Sequence, residues 1–530
     1  MLVGLRQRLQ SDDNRNPVHQ VTRNLKARLT LDPSLRSSVL PCLVIILGAI
    51  LRFYDLGAES YWFDEVYTLY DVRKSLGSIL MLRAPVYVLL AHFWMLVFGT
   101  TEVATRSLSA FAGIGSIALM YAVGRELFGR RVGLLSALLI AISEFQIYHS
   151  QDYRYYSLFV LMTLISFLFC IQALKSKRLS HFVLYVLASI LVFYTHTHGV
   201  FVLVAQNLYF LLQWNRHRNA RVSWIFCQIL IFLAIGPGLL PDVKATSTAG
   251  STGLLEWIPD RPLWFPLRTL YWYVFPLRHK RSWVTVAVNF IAGIAFFLTG
   301  TLLFATWKGK ERWLASVKGL VTDAQGLSDE ADKLLLVGCW FLCPIVLPLV
   351  LSKVIGPMYV HRYTISASPA FYLLLALGIT TARKVVPELV TVGAMVILIA
   401  PGLQHYYVTD VNEQWREAAA YVEEHAGIDD VIVFAPDDDG WQRNTLYWYY
   451  RGNLPACGID GELTDDEAIA DALEGCTSGS ERFWLIMRGT PESIERFKAF
   501  FLAPGHRAMH LMREQKFMGI SAYLFELTGR

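Results

Sequence analysis

The sequence predicts a polytopic α-helical membrane protein that carries a small α/β domain at its C-terminal end. Of its 530 residues, 54% are apolar and only 17% are charged, whereas soluble domains average about 25% charged residues. Apolar stretches of about 17–25 residues, each long enough to cross a bilayer, recur over most of the chain. After residue 404 the pattern changes to short helical segments and four strand-like segments, DVIVFAP, ERFWLIMRG, HRAMHLMR and ISAYLFEL, which is typical of an α/β fold.

Eleven apolar segments are predicted to cross the membrane. They are 37–54, 104–124, 132–149, 155–174, 180–195, 198–214, 222–240, 283–306, 334–352, 363–382 and 386–404. A twelfth segment, 85–99, has only about 15 residues, so it suits an interfacial helix as well as a span.

The distribution of basic residues decides between these alternatives. Four short Lys- and Arg-rich loops and the basic arm 1–36 should face the cytoplasm. An odd number of crossings must then separate the loop after the first span from Arg125, and segment 104–124 supplies one. We therefore expect segment 85–99 to lie at the outer interface, within a first outer loop that covers 55–103.

Three domains follow from this topology. They are a cytoplasmic arm (1–36), a transmembrane domain (37–404) and an extracytoplasmic α/β domain (405–530). The arm lacks the pattern of a cleaved signal peptide, and a bacterial inner membrane is the expected location. If the last domain lies outside the cytosol, Cys457 and Cys476 are free to form a disulfide. The net charge of +5 is small and scattered, so nucleic acid is not an expected partner.

Two adjacent carboxylates mark the point where the chain leaves the first span. Asp64 and Glu65 lie in the stretch SYWFDEVYTL. The sequence contains no nucleotide-binding fingerprint of the GxGxxG or GxxxxGK type, so chemistry on the outer face needs a donor that the membrane itself carries. A lipid-linked sugar phosphate meets that need, with a carboxylate as general base and cations that bind the leaving phosphate. Adjacent acids are also common in solvated loops, which is the alternative.

A second polar group lies at the outer end of another span. Gln151, Asp152 and Arg154 belong to the stretch YHSQDYRYYSL. Ionisable residues at membrane depth are costly and are usually retained for function, so we favour a functional role over a simple Asp–Arg interface pair.

Further candidate residues are spread over three other outer segments. His196 and His198 lie in YTHTHG, Lys353 and Arg362 lie in SKVIGPMYVHRYT, and Arg83 precedes the interfacial segment. Two histidines on a turn are too few ligands for a metal site, so contact with the sugar phosphate or anchoring at the interface are the two alternatives. Cations near lipid headgroups are common. These residues therefore indicate a site only in combination with the acidic pair and the polar group described above.

Taken together, these motifs resemble the dolichyl-phosphate-mannose protein mannosyltransferase-like family of GT-C glycosyltransferases. That family includes bacterial relatives of the lipid A aminoarabinose transferase. The resemblance covers about residues 40–405 and rests on the acidic pair and on the segments FGTTEVATRSLSA, SQDYRYYSL, YTHTHGVF and HRYTISASPAF. The segment RAPVYV has Arg83 where the family often has a histidine.

The resemblance implies a reaction and a set of roles. A sugar would move from a polyprenyl-phosphate donor to a lipid, glycan or protein acceptor at the outer face. Asp64 would be the general base, with Glu65 in reserve, and Asp152 would orient Arg154 or the sugar.

The leaving phosphate has its own predicted residues. The resemblance implies that Arg154 and Arg362, with Lys353, would hold it. No cofactor is expected, and no metal ion is predicted.

Two other classes of protein remain open from the sequence. A transporter would carry charges at mid-span and broken helices in repeated halves, whereas the carboxylates here lie at one face. A non-catalytic scaffold would use its outer domain to bind a partner.

Overall fold

The computed structural model describes most of the chain. The described residues are 33–247, 258–274, 329–380, 385–410, 412–437, 440–463, 465–489, 491–502 and 509–528. Most of the predicted cytoplasmic arm and the predicted span 283–306 lie outside them.

The N-terminal three quarters of the described chain is helical. The helices are α1 (Pro33–Phe53), α2 (Phe63–Asp71), α3 (Leu76–Leu80), α4 (Pro85–Phe98), α5 (Glu102–Phe128), α6 (Arg130–Ile142), α7 (Glu144–Ser150), α8 (Tyr156–Ser176), α9 (Leu179–Thr195), α10 (Gly199–Leu212), α11 (Arg221–Ser247), α12 (Phe265–Val274), α13 (Asp329–Val354), α14 (Ser368–Thr380) and α15 (Val385–Val408). Apolar side chains from α5 to α14 form one continuous buried core.

The number of membrane crossings is not confirmed at eleven. In the described residues, five helices are long and apolar enough to cross a bilayer, or six if the bent pair α6 and α7 counts as one. The five are Glu102–Phe128, Tyr156–Ser176, Arg218–Leu239, Asp329–Val354 and His361–Thr380. Shorter apolar helices occupy four further predicted spans and the predicted interfacial segment, where α4 forms.

One predicted span is broken. The segment 132–149 forms α6 and α7, which meet at Ser143 with a bend of 62°. The bend leaves backbone carbonyls of α6 without helical partners. Arg52 of α1 donates to two of them, Ile140 O at 3.0 Å and Ala141 O at 3.1 Å, and to the Ser150 hydroxyl at 3.1 Å. A charge in the first helix thus stabilises the break and the start of the polar segment after it.

The C-terminal part forms the predicted α/β domain. Its elements are α16 (Trp415–His425), β1 (Val431–Phe434), α17 (Trp441–Tyr449), β2 (Ala456–Gly458), α18 (Asp466–Cys476), β3 (Arg482–Met487), α19 (Pro491–Leu502), β4 (Met509–Phe517) and β5 (Ile520–Leu527). The sheet order is β2-β1-β3-β5-β4, with β1 parallel to both neighbours and β5 antiparallel to β3 and β4. Only β2, which has three residues, was missing from the sequence-based prediction.

Both faces of this sheet are buried. Residues such as Trp484 and Ile486 pack under α16 and α17 on one face, while Phe483 and Leu485 pack under α18 and α19 on the other. A disulfide joins Cys457 to Cys476, with Cα atoms 5.5 Å apart.

The C-terminal domain packs directly on the outer loop. Glu102, at the start of α5, accepts a hydrogen bond from Tyr449 at 2.9 Å and pairs with Arg416 at 3.3 Å. Trp441 of α17 contacts the ring of Tyr67 with centroids 4.7 Å apart. Helix α2, which carries the acidic pair, is therefore covered by the domain.

Candidate functional site

Helix α2 positions the two adjacent carboxylates on different sides. It begins after Trp62, whose backbone N–H donates to the Glu65 carboxylate at 3.3 Å. A bond from the N-cap backbone N–H to an acid at the third helical position is one half of a capping box, a common helix start. Because neighbours in a helix point in different directions, Asp64 and Glu65 have different surroundings.

Glu65 is fully buried in an ion pair. Arg106 of α5 donates to its two carboxylate oxygens at 2.8 and 2.6 Å, and the Tyr153 backbone N–H donates at 2.7 Å. Burial raises the pKa of the Glu65 carboxyl, while the Arg106 charge opposes that rise. Since both oxygens are engaged, Glu65 connects the outer loop to α5 and to the segment after α7.

Asp64 lies between two guanidinium groups. Its side chain is 20% exposed, and Arg362 Nη2 lies 3.5 Å from one carboxylate oxygen. Arg154 donates to the Asp64 backbone carbonyl at 2.9 Å and to the Thr68 hydroxyl at 2.7 Å. Three predicted site residues from distant parts of the chain are therefore brought together.

Asp152 is buried beside the same helix. One carboxylate oxygen accepts a hydrogen bond from the Trp62 indole N–H at 3.1 Å. Burial raises the pKa of the Asp152 carboxyl to about 6, an effect that the charge of Arg154 opposes. Asp152 thus holds the tryptophan that precedes α2.

Arg362, Asp152 and Trp62 line a cleft that we name the basic cleft. It spans about 600 Å³, with the open solvent at its mouth included. Arg362, His149, His361 and Asp152 supply its ionisable groups, and Trp62, Tyr148 and Trp272 supply its aromatic walls. The arrangement combines a cation and flat apolar surfaces, which suits a sugar phosphate.

His196 and His198 lie behind the cleft, against Tyr363. Their ring centroids are 4.8 and 4.9 Å from that of Tyr363. His196 Nδ1 accepts a hydrogen bond from the His198 backbone N–H at 3.0 Å. Both imidazoles therefore pack against Tyr363 near Arg362. The described residues contain no group of His, Cys, Asp or Glu suited to a metal ion.

Three predicted site residues lie elsewhere. The Lys353 ammonium pairs with Asp260 at 2.5 Å, and Arg83 is exposed just before α4. Gln151 donates to the Tyr54 carbonyl at 2.8 Å and accepts from Tyr406 at 2.6 Å. Gln151 therefore joins the end of α1 to α15, outside the basic cleft.

Three residues of the site carried no predicted role in the sequence. Arg106 is a charge within an apolar helix, a pattern that signals function or pairing and could have revealed it. Trp62 and Trp272 have no such signal, because aromatic residues are common at membrane interfaces.

Fold and site define a membrane-embedded helical protein whose polar site lies under an α/β domain. Residues 82–240 match the family described as dolichyl-phosphate-mannose-protein mannosyltransferase. ArnT from Cupriavidus metallidurans in the apo state is similar over 91% of this chain and 97% of its own, with 12% identity and a TM-score of 0.57.

A second similar structure comes from an archaeon. The oligosaccharyltransferase AglB from Archaeoglobus fulgidus, in complex with an inhibitory peptide and a dolichol-phosphate, matches 92% of this chain and 74% of its own, with 11% identity and a TM-score of 0.54. No match is found among curated proteins. The chain is thus similar to a mannosyltransferase family over residues 82–240, and it shares its fold with ArnT and AglB.

Proposed function

We propose that this chain moves a sugar from a polyprenyl-phosphate donor to an acceptor at the extracytoplasmic face of its membrane. The observation that carries the proposal is the position of Asp64, partly exposed and 3.5 Å from Arg362 at the edge of the basic cleft. A base and a phosphate-binding cation are thus adjacent. The acceptor is a lipid, a glycan or a protein.

Asp64 acts as the general base. It removes the proton from the acceptor hydroxyl as that oxygen forms its bond to the anomeric carbon. The bond from the anomeric carbon to the phosphate oxygen breaks, and its electron pair remains on the leaving lipid phosphate. Direct displacement inverts the configuration at the anomeric carbon.

Arg362 stabilises the leaving phosphate. Its guanidinium lines the basic cleft, and charge-assisted hydrogen bonds to phosphate are the strong kind. A phosphate in the cleft competes with Asp64 for this guanidinium, which leaves Asp64 the stronger base. Arg154 holds the backbone and Thr68 of α2, so its charge adds to the field while its hydrogen bonds position the base.

Glu65 is a positioning residue in this proposal. Its oxygens are bound by Arg106 and by the Tyr153 N–H, so it fixes α2 against the rest of the site. The reserve role as base therefore has less support than the role of Asp64.

The similar structures support a lipid-borne donor. ArnT has been crystallised with undecaprenyl phosphate, at 12% identity and a TM-score of 0.55, and AglB with a dolichol-phosphate. The disulfide between Cys457 and Cys476 supports an oxidising compartment for the C-terminal domain. An inner-membrane location in a bacterium, with a cytoplasmic N-terminus, agrees with the lipid-borne donor and with the oxidising compartment.

Purified protein in sealed proteoliposomes tests this proposal. Wild type, Asp64→Asn and Asp71→Asn are incubated with radiolabelled polyprenyl-phosphate sugars and membrane acceptors. Asp71 is a matched control because it is an acid on the same helix that pairs with Lys74 at 2.6 Å. Label should move from lipid to acceptor in wild type and in Asp71→Asn, and not in Asp64→Asn. Unmodified substrate that crosses the membrane would instead indicate a transporter.

A further inference from the structure

A second cleft, which we name the acidic cleft, adjoins the basic cleft. It lies between the outer loop and the residues around Asp410 that lead into the C-terminal domain, and it spans about 650 Å³, with open solvent included. Trp62, Tyr148 and Asp152 line both clefts. A molecule in the acidic cleft therefore lies next to one in the basic cleft, with only these side chains between.

The two clefts differ in charge. Four carboxylates line the acidic cleft, from Asp55, Glu59, Asp152 and Asp410, against one guanidinium, from Arg106. The basic cleft has one guanidinium, from Arg362, against the single carboxylate of Asp152. An anionic phosphate is accordingly favoured in one cleft and disfavoured in the other.

The arginines nearest the acidic cleft already form ion pairs with other carboxylates. Arg106 donates to both oxygens of Glu65. Arg416 pairs with Glu102 at 3.3 Å and with Glu417 at 3.1 Å. The excess negative charge of the lining therefore remains.

Asp152 supplies an independent sign of a ligand. It is 4% exposed, and its Oδ1 accepts from Trp62. Its Oδ2 is buried and accepts no hydrogen bond from any described residue, and His149 Nδ1 lies 3.9 Å away. A buried carboxylate oxygen with spare capacity favours a donor from a ligand.

We infer that the acidic cleft binds the acceptor and that this acceptor carries a protonated amine. The inference rests on the proposed transfer reaction, whose donor phosphate occupies the basic cleft. Since no group of described residues is suited to a metal ion, an organic cation fits this lining better than a bare metal does. The amine binds near Asp55, Glu59 or Asp410 and so places the acceptor beside the donor in the basic cleft.

Matched acceptors test the inference. The intact protein, with an active donor from the preceding assay, is given octyl glucosaminide or its N-acetylated form. The variants are the pair Asp55→Asn with Asp410→Asn, whose side chains are exposed at the mouth, and Asp471→Asn, an exposed acid on α18. Because exposed charge pairs are weak, the double variant should raise KM for the amine acceptor about fivefold. KM for the acetylated acceptor should change far less, because that acceptor has no positive charge for these carboxylates to bind. Asp471→Asn should leave the constants for both acceptors as in wild type.

Other outcomes separate the two proposals. Equal KM for both acceptors, with transfer intact, overturns the amine inference and keeps the transferase. Equilibrium dialysis of labelled octyl glucosaminide without donor tests acceptor binding when no transfer is seen. If the double variant weakens this binding and no donor supports transfer, the acidic cleft still binds an amine, and the proposed transferase activity is wrong. Displacement of that probe by Mg²⁺ or Ca²⁺, and not by Na⁺ at equal ionic strength, would overturn the inference in favour of a metal site.

Discussion

Two groups of paired charges differ in burial. The Glu65–Arg106 pair is almost completely buried, and Arg106 lines the acidic cleft. After the end of α10, Arg216 pairs with Asp332 at 3.4 Å and with Asp329 at 3.1 Å, and Asp329 is 69% exposed. The first group is costly to bury and lies beside open space, whereas the second joins α10 and α13 near solvent. The difference indicates that charge burial beside a cavity, rather than charge pairing, distinguishes the candidate site.

The largest expected effect is the loss of the base. Asp64→Asn should lower kcat by about 10²- to 10⁴-fold, the usual contribution of general base catalysis, with little change in donor binding. Single-turnover transfer measures the step directly. A variant that keeps wild-type kcat would remove Asp64 from the mechanism.

Loss of the phosphate-binding cation should be nearly as large. Arg362→Gln should reduce kcat by about 10²- to 10³-fold, as for removal of one donor to a developing anion. Arg362→Lys should recover part of the rate, because the charge is kept and the planar fork is lost. Equal activity of Gln and Lys variants would contradict the role in charge stabilisation.

Breaking the buried pair should affect stability more than chemistry. Arg106→Gln leaves Glu65 without its partner and should destabilise the fold by about 3–5 kcal/mol. Thermal unfolding in detergent monitors this effect. If Arg106→Gln unfolds at the wild-type temperature yet loses activity, the pair has a direct catalytic role instead.

The raised pKa of Asp152 predicts a pH dependence of stability. Its folded pKa of about 6 lies above its ordinary 3.8, so between about pH 4 and 6 the folded state holds more protons than the unfolded state. The contribution of this group to stability therefore falls as the pH rises through that window. Asp152→Asn should flatten the curve of melting temperature against pH there. An unchanged curve would argue against a buried, titrating Asp152.

The smallest effect belongs to the exposed group. Asp329→Asn should change stability by only about 0.5 kcal/mol, because exposed pairs with Lys333 and Arg216 contribute little. Transfer activity should equal that of wild type. A large loss of transfer activity in Asp329→Asn would contradict the conclusion that only the buried group belongs to the candidate site.

Long-range order was harder to predict from the sequence than the elements themselves. Apolar length and helix signals predicted most helices and four of the five strands, since these are local properties. The break at Ser143 was missed because segment 132–149 has the apolar character of a single span. Strand β2 was missed because three residues carry too little pattern.

The site was predicted in its residue types and only partly in its contacts. Asp64, Arg154 and Arg362 were all expected at the outer face, and they do lie together. The Glu65–Arg106 pair joins residues 41 apart in sequence, and no local pattern encodes such a partner. The acidic cleft needs Asp410 to fold back on Asp55, which is a tertiary event that composition cannot show.

The role of Arg52 has a consequence for how the chain enters its membrane. Its guanidinium is buried in α1, yet two of its acceptor carbonyls come 88 and 89 residues later. During synthesis, the first helix therefore emerges before its charge has these partners, and a Lys or Arg near a helix end stays at the interface until then. The contacts that hold this guanidinium therefore form only after α6 and α7 have been made. We expect α1 to reach its final packing late in biogenesis, together with the bend at Ser143.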